Sequence, residues 1–181
     1  SSRKTPALSL TALAVAAACS AHAGAVDYVW LTGNFGPGVA PSPLTAPDTL
    51  VIDAGGTKNF IGVSFSNASA VTWNADHVGF SGSAVLNSGL WDAKSDNALS
   101  YAGGSGSDFV NSGVFRKSGG TGATSIGVHV AFTNAGSGIV DARTGSIAFV
   151  GNNAVFDDGS RCTGAGIVDI IPVLVGTACG I

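Results

Sequence analysis

From residue 48 onward the chain alternates short apolar runs with breaks of glycine, asparagine, aspartate and serine. T-L-V-I and F-I-G-V-S-F are examples, and the runs are generally three to six residues long with frequent apolar–polar alternation. Segments of this kind predict β-strands joined by tight turns. Because no stretch supports a helix of three turns, the sequence predicts an all-β protein.

One short phrase recurs along the chain. Aligned on its asparagine, it reads F-S-N-A-S-A-V, V-L-N-S-G-L-W, F-V-N-S-G-V-F and F-T-N-A-G-S-G-I, with 20, 24 and 23 residues between successive asparagines. A near-constant period in this range is typical of a solenoid, whose coils stack because a single coil cannot bury its own apolar face. The recurrence therefore predicts a β-solenoid of stacked coils, about 4.8 Å apart.

The residues of this phrase are expected to align from coil to coil. Asparagine can adopt the left-handed backbone conformation of a sharp corner, and a following glycine does so without a Cβ penalty. Stacked amides can bond one another, so we expect an asparagine ladder of Asn67, Asn87, Asn111 and Asn134. The alternative is that these amides contact a ligand. Two positions earlier, a continuous internal column is expected from Phe65, Val85, Phe109 and Phe132.

The composition favours strands and turns and argues against nucleic-acid binding. The chain of 181 residues contains 27 glycines but no glutamate, glutamine or methionine, which are straight-chain helix formers. Only 10% of the residues are charged, and all eleven acidic residues are aspartates. Because the sequence has no basic patch, no nucleic-acid partner is expected.

The first 23 residues have the pattern of a secretory signal peptide. Arg3 and Lys4 precede an apolar run at 7–18, and Ala21-His22-Ala23 fits the small-x-small rule of signal peptidase. We therefore expect residues 1–23 to be removed, and the mature chain to be secreted, extracellular or at the cell surface, with no transmembrane segment. Two alternatives remain, a buried helix of the mature fold and lipid attachment at Cys19.

The rest of the chain divides into a short cap and the solenoid. Four of the six prolines, Pro37, Pro41, Pro43 and Pro47, lie close together. Proline donates no backbone hydrogen bond and is excluded from central strands, so residues 24–47 are predicted to form an N-terminal cap with a surface loop. Residues 48–181 are predicted to form the solenoid.

Two cysteines are left after removal of the signal. Cys162 and Cys179 are seventeen residues apart, and in an oxidising compartment they are expected to form a disulfide that closes the last coil. The alternative is a pair of reduced, buried thiols. A metal site is not expected, because two cysteines without a nearby histidine lack a tetrahedral ligand set.

Several of these repeats resemble a known family. The segments F-V-N-S-G-V-F-R-K-S-G-G-T-G-A-T-S-I-G-V, F-T-N-A-G-S-G-I-V-D-A-R-T-G-S-I-A-F and F-D-D-G-S-R-C-T-G-A-G are similar to repeats of exported bacterial β-helix surface proteins, of the haemagglutinin-like and autotransporter-adhesin-like kinds. Some of these proteins end in a PEP-CTERM sorting signal, which this glutamate-free chain does not contain. The resemblance covers about residues 48–170. It implies a right-handed parallel β-helix outside the cell, used in adhesion or in building surface structures.

Parallel β-helices also include enzymes that cleave polysaccharides, and a few acidic and basic residues of this chain are candidates for such catalysis. The best candidates are Asp157 and Asp158 with Arg161, and Asp141 with Arg143. Asp-Asp-Gly is also ordinary turn chemistry, and an Asp–Arg pair on neighbouring coils is ordinary surface pairing. We therefore expect no enzyme, no catalytic residue, no metal and no cofactor.

Aromatic residues could instead form a sugar-binding strip. Trp73, Trp91 and Tyr101 follow one another in coil order, but their apolar neighbours favour positions in the core. His77 and His129 lie in different coils, without a nucleophile motif beside either.

These observations predict a structural protein that assembles with copies of itself into a head-to-tail filament, or acts in adhesion, with a cell-surface or polysaccharide partner possible. The alternative function is a carbohydrate-binding or polysaccharide-cleaving β-helix. The expected assembly contacts lie in the apolar C-terminal run and near the N-terminus: Ile167, Ile170, Ile171, Val173, Leu174, Val175, Tyr28, Trp30 and Phe35.

Overall fold

The computed structural model describes residues 24–38, 42–151 and 154–171, which form eighteen β-strands and no helix. In chain order the strands are β1 (Asp27–Trp30), β2 (Gly33–Phe35), β3 (Leu44–Ile52), β4 (Lys58–Ile61), β5 (Ser64–Trp73), β6 (Val78–Ser81), β7 (Ala84–Asn87), β8 (Leu90–Ala93), β9 (Ala98–Tyr101), β10 (Ser107–Asn111), β11 (Val114–Lys117), β12 (Ala123–Ile126), β13 (Val130–Asn134), β14 (Ile139–Ala142), β15 (Ser146–Val150), β16 (Ala154–Phe156), β17 (Arg161–Thr163) and β18 (Ile167–Ile171).

All strand pairings are parallel and join strands of successive coils, and every strand between the first and last described coils pairs on both sides. Each coil places strands on three faces. Face A contains the starts of β3 and β5 with β7, β10, β13 and β16; face B contains β1, the ends of β3 and β5, and β8, β11, β14 and β17; face C contains β2, β4, β6, β9, β12, β15 and β18. The chain is thus a parallel β-solenoid of about six turns, and the predicted fold class is confirmed.

The internal column predicted on face A is present. Phe65 lies in register with Val85, Val85 with Phe109, and Phe109 with Phe132, and all four side chains are fully buried. The rings of Phe109 and Phe132 are stacked, with centroids 5.5 Å apart and an interplanar angle of 18°. When strands of similar sequence stack at a fixed spacing, equivalent residues lie directly above one another. The column is therefore a direct result of the repeat.

Bulky side chains from all three faces fill the interior. Trp73 and Trp91 project inward from face B and are fully buried, as predicted. The same prediction is wrong for Tyr101, whose side chain is 45% exposed. Tyr101 is the last residue of β9, where the chain leaves face C, and its hydroxyl donates a hydrogen bond to the carbonyl of Gly104 (2.7 Å).

The regular coils begin earlier than the predicted start at residue 48. β1 pairs with β3 and β2 pairs with β4, so both lie within the first coil. Pro47 lies inside β3, where a central proline was not expected. It is exposed and sits at the register shift between Thr45 and Thr49, where the interrupted ladder does not need a donor at that position.

Some predictions fall outside the described residues. The signal segment 1–23 and the predicted contacts Val173, Leu174 and Val175 are among them, as is Cys179. Cys162 lies half-buried in β17, in register with Val140. The Cys162–Cys179 disulfide therefore stays a prediction. Within the described ranges, no helix is long and apolar enough to cross a membrane.

Candidate functional site

The predicted asparagine ladder runs up the corner between faces A and B. The amide nitrogen of Asn67 donates to the amide oxygen of Asn87 (2.6 Å), Asn87 donates to Asn111 (2.7 Å), and Asn111 donates to Asn134 (2.7 Å). All four side chains are buried. The ladder prediction is confirmed, and the buried amides are satisfied by one another and by the backbone, which favours the structural interpretation over ligand contact.

Each ladder amide also holds the chain across the corner. The second hydrogen of Asn87 reaches the carbonyl of Val114 on the next coil (3.1 Å), and that of Asn111 reaches the carbonyl of Ile139 (3.2 Å). The column ends at apolar residues, since Leu44 lies in register with Asn67 and Phe156 with Asn134. The amides therefore connect consecutive coils in a single direction from β5 to β13.

Two buried lysines at the corner between faces B and C were not predicted. Lys58 projects inward from β4 and is fully buried. Its ammonium donates to Asp76 Oδ2 (2.7 Å) and to the carbonyl of Gly56 (3.0 Å). The same Asp76 oxygen accepts from the backbone N–H of Gly55 (3.0 Å) and of Gly56 (3.1 Å). Donation by Lys58, followed by that of Gly56, lowers the pKa of Asp76 to about 2.

The second buried lysine forms a similar arrangement. Lys117, at the end of β11, donates to Asp96 Oδ1 (2.6 Å), to the carbonyl of Ser95 (3.2 Å) and to the hydroxyl of Thr124 (3.1 Å). The hydrogen bond from Lys117, helped by the N–H of Gly122, lowers the pKa of Asp96. Both carboxylates thus join the corner of one coil to that of a neighbouring coil.

The sequence does contain a signal for these lysines. Lys58 lies two residues before the buried Phe60, and Lys117 lies two residues after the buried Phe115. Because side chains two residues apart in a strand point to the same side, both lysines are expected to point inward. Their carboxylate partners lie 18 and 21 residues away and belong to neighbouring coils. The alternation of inward and outward residues along each strand could have identified the buried lysines. Their carboxylate partners are identified only by the stacking of one coil on the next.

Asp141, a candidate catalytic residue, is held in an ionic cluster on the outer side of face B. Arg116 Nε and Arg143 Nε each lie 2.8 Å from Asp141 Oδ2, and the Thr163 hydroxyl donates to Oδ1 (3.2 Å). Burial raises the pKa of Asp141, but the hydrogen bonds from Arg116, Arg143 and Thr163 outweigh it and leave the pKa below its usual range. An ionised carboxylate with both oxygens occupied is suited to linking coils rather than to donating a proton.

The other acidic candidates lie at the last corner between faces A and B. Asp157 and Asp158 are exposed in the turn between β16 and β17, where the N–H of Ser160 donates to the Asp157 carbonyl (3.0 Å). Arg161 is also exposed, and no salt bridge within the described ranges joins it to either aspartate. The structure therefore does not bring these three side chains into a paired arrangement. In the same ranges, no group of three or more histidine, cysteine or acidic side chains could hold a metal ion.

A recess of about 340 Å³, lined by both polar and apolar atoms, opens on the outer side of face C. Three residues in register on β4, β6 and β9 line its floor: Asn59, Gly79 and Ser100. Asp76 and His77 border it at one end, and Tyr101 at the other. No sequence motif indicates this recess, because its residues come from three different coils.

The last described coil carries an apolar edge. Within the described ranges, β16, β17 and β18 each pair on one side only. Of the predicted assembly contacts, Ile167 is 65% and Ile171 is 51% exposed, while Ile170 is half-buried.

At the opposite end the predicted contacts differ. Trp30 and Phe35 are buried and pack around Phe60, with ring centroids 5.0 and 5.2 Å from it. The prediction that these two side chains form a contact surface is wrong, because they fill the core of the first coil. Tyr28 is half-buried.

Comparisons with protein-family models, with curated proteins and with solved structures found no match.

Proposed function

We propose that this protein is a secreted structural β-solenoid that assembles head to tail with copies of itself. The observation that carries the proposal is the edge of the last described coil. There, β16, β17 and β18 lack a second strand partner within the described ranges, and the outward residues Ile167 and Ile171 are more than half exposed. An apolar, unpaired strand edge is a template for another chain.

The arrangement of faces supports a continuous stack. β1 and β2 also pair on one side only within the described ranges, and they belong to faces B and C, like β17 and β18. A second copy placed on the last coil would bring its β1 next to β17 and its β2 next to β18, on the same two faces. A head-to-tail contact that does not close produces a filament rather than a ring or a dimer.

The surface and the N-terminal sequence support an extracellular, structural role. The net charge is −3 and only 10% of the residues are charged, so repulsion between stacked copies is small. Residues 1–23 have the pattern of a secretory signal, and the repeats resemble those of exported surface proteins.

The test compares assembly of the full exported chain with that of edge variants. We expect the natural chain to form filaments in electron micrographs, and its sedimentation coefficient to rise with protein concentration. I167K/I171K places charges on β18, the face C strand of the last described coil, so it should remain a single particle at concentrations where the natural chain polymerises.

A matched control separates edge pairing from general surface hydrophobicity. Leu86 is 44% exposed on β7, away from both ends of the solenoid. L86K should form filaments like the natural chain. A natural chain that stays monomeric at all concentrations, or an L86K variant that blocks assembly as fully as I167K/I171K, would overturn the proposal.

A further inference from the structure

The recess on face C is bordered by three successive coils and a corner, and polar side chains line part of it. On one side Asn59 donates its amide hydrogen to Asn34 Oδ1 (3.1 Å), which turns Asn59 Oδ1 the other way, over Gly79. A Cβ on Gly79 would collide with that oxygen and would come within 2.8 Å of Ala102. The recess therefore depends on a residue without a side chain at this position of β6.

The histidine at the rim has a defined tautomer. His77 Nδ1 accepts a hydrogen bond from the backbone N–H of Ala98 (2.8 Å). A neutral imidazole that accepts at Nδ1 carries its hydrogen on Nε2. His77 thus presents a donor at the end of the recess where Asp76 lies.

The charges at the recess are already neutralised. All three hydrogen bonds to Asp76 from Lys58, Gly55 and Gly56 end on Oδ2, so Oδ1 is left as an acceptor on a carboxylate that is 36% exposed. The Lys58 ammonium is fully buried and engaged by Asp76 and the Gly56 carbonyl, so it does not offer a positive charge to an anion. The recess has the polarity of a site for a neutral ligand.

The immobilised aromatic ring of Tyr101 lies at the other end of the recess. Tyr101 is 45% exposed, its hydroxyl is tied to the Gly104 carbonyl, and its ring packs against His129 with centroids 5.0 Å apart. A ring fixed on one side by a neighbour and exposed on the other can cover the apolar face of a ligand. The volume of the recess, about 340 Å³, is at the lower end of the range for ligand sites, about 300–1,000 Å³.

From this geometry we propose that the recess bordered by Asn59, His77, Ser100 and Tyr101 binds a neutral sugar unit. Hydroxyl groups of a pyranose both donate and accept, which matches the acceptors Asn59 Oδ1 and Asp76 Oδ1, the donor His77 Nε2–H and the hydroxyl of Ser100. The apolar face of the sugar ring lies against Tyr101. The site is independent of the ends of the solenoid, so it does not rest on the proposed assembly.

The test titrates the full-length protein with glucose, galactose, mannose, N-acetylglucosamine and cellobiose, with galacturonate as an anionic comparison. Amide chemical shifts in nuclear magnetic resonance spectra report where each sugar binds. To keep particles small enough for the spectra, the protein carries the I167K/I171K edge substitution. We expect at least one neutral sugar to shift the amides of Gly79, Ser100 and Ala102 with millimolar affinity, and galacturonate to bind more weakly.

Variants distinguish the recess from non-specific binding. Y101A and N59A should each weaken binding of that sugar about tenfold, whereas Y101F, which keeps the ring but loses its hydrogen bond to Gly104, should weaken binding less than Y101A. L86A, on face A, should leave the affinity unchanged. No shift with any neutral sugar, shifts that map away from face C, or a preference for galacturonate would each overturn the inference. An unchanged affinity in both Y101A and N59A would do the same.

Discussion

Each ladder asparagine is a donor and an acceptor at the same time. Asn111 accepts from Asn87 and donates to Asn134 and to the Ile139 carbonyl, all in the buried interior. Buried hydrogen bonds are individually modest, but a buried polar group that loses its partner costs about 1–3 kcal/mol. The ladder therefore stabilises one register of coil on coil more strongly than an apolar column would.

The first prediction concerns this residue. N111A removes the acceptor of Asn87 and the donor to Asn134, and it leaves a cavity, so we expect the free energy of unfolding to fall by about 2–4 kcal/mol. Urea denaturation followed by circular dichroism measures this loss. N34A is the control, because Asn34 is exposed on face C and its amide pairs only with Asn59 among the described residues; its cost should stay within about 0.5 kcal/mol. Equal losses in the two variants would contradict a special role for the buried ladder.

At the scale of an element, the corners decide how closely successive coils approach. Gly113 follows the ladder residue Asn111, and its N–H donates to the carbonyl of Asn87 on the previous coil (3.0 Å). A Cβ at position 113 would lie 2.6 Å from the carbonyl oxygen of Ser88. This atom is backbone and cannot move without displacing the neighbouring corner. The glycine is therefore required by stacking rather than by its own backbone conformation.

The second prediction compares two glycines of neighbouring corners. G113A forces two corners apart and should lower the free energy of unfolding by about 1–3 kcal/mol. G106A adds a Cβ that meets no atom within 4 Å, so its stability should be unchanged or higher by up to about 1 kcal/mol. Thermal and urea denaturation of both variants provide the measurement. A loss in G106A as large as that in G113A would show that alanine harms these corners for another reason.

At the scale of the whole molecule, ionic links between coils respond together to pH. The pKa of Asp76 is lowered to about 2 by the hydrogen bond from Lys58 and by that of Gly56, and the pKa of Asp96 is lowered by Lys117. A carboxyl with a lowered pKa in the folded state binds protons less readily than it does in the unfolded chain. It stabilises the fold above the unfolded pKa, and that stabilisation is lost as the pH falls towards the folded value.

The stability of the protein should therefore depend on pH in the acid range. The free energy of unfolding should be nearly constant above about pH 5 and should fall as the pH is lowered from about 4 to about 2. D76N/D96N should be less stable than the natural protein at neutral pH, because it leaves two buried ammonium groups without a carboxylate, and its stability should depend less on acid. Urea denaturation at neutral, mildly acidic and strongly acidic pH measures both effects. D108N, an exposed position on face A, is the control and should retain the natural pH dependence; a natural protein whose stability is unchanged at about pH 2 would contradict the argument.

The sequence by itself determined the strands, the repeat, the asparagine ladder and the phenylalanine column. Asn67 to Asn134 recur at nearly one coil length, and Phe65 to Phe132 keep a fixed distance from them, so a periodic chain can place them only one above another.

Tertiary structure decided which residues meet at the other corners and on the outer faces. Lys58 meets Asp76, and Asn59 lies over Gly79, because coils of unequal length settle into one vertical register. Tyr101 turns outward although it continues an inward series, since its strand ends there and a turn carbonyl accepts its hydroxyl. Periodicity fixes contacts that repeat in every coil, whereas contacts made once depend on the local height and length of each turn, and only the folded stack sets these.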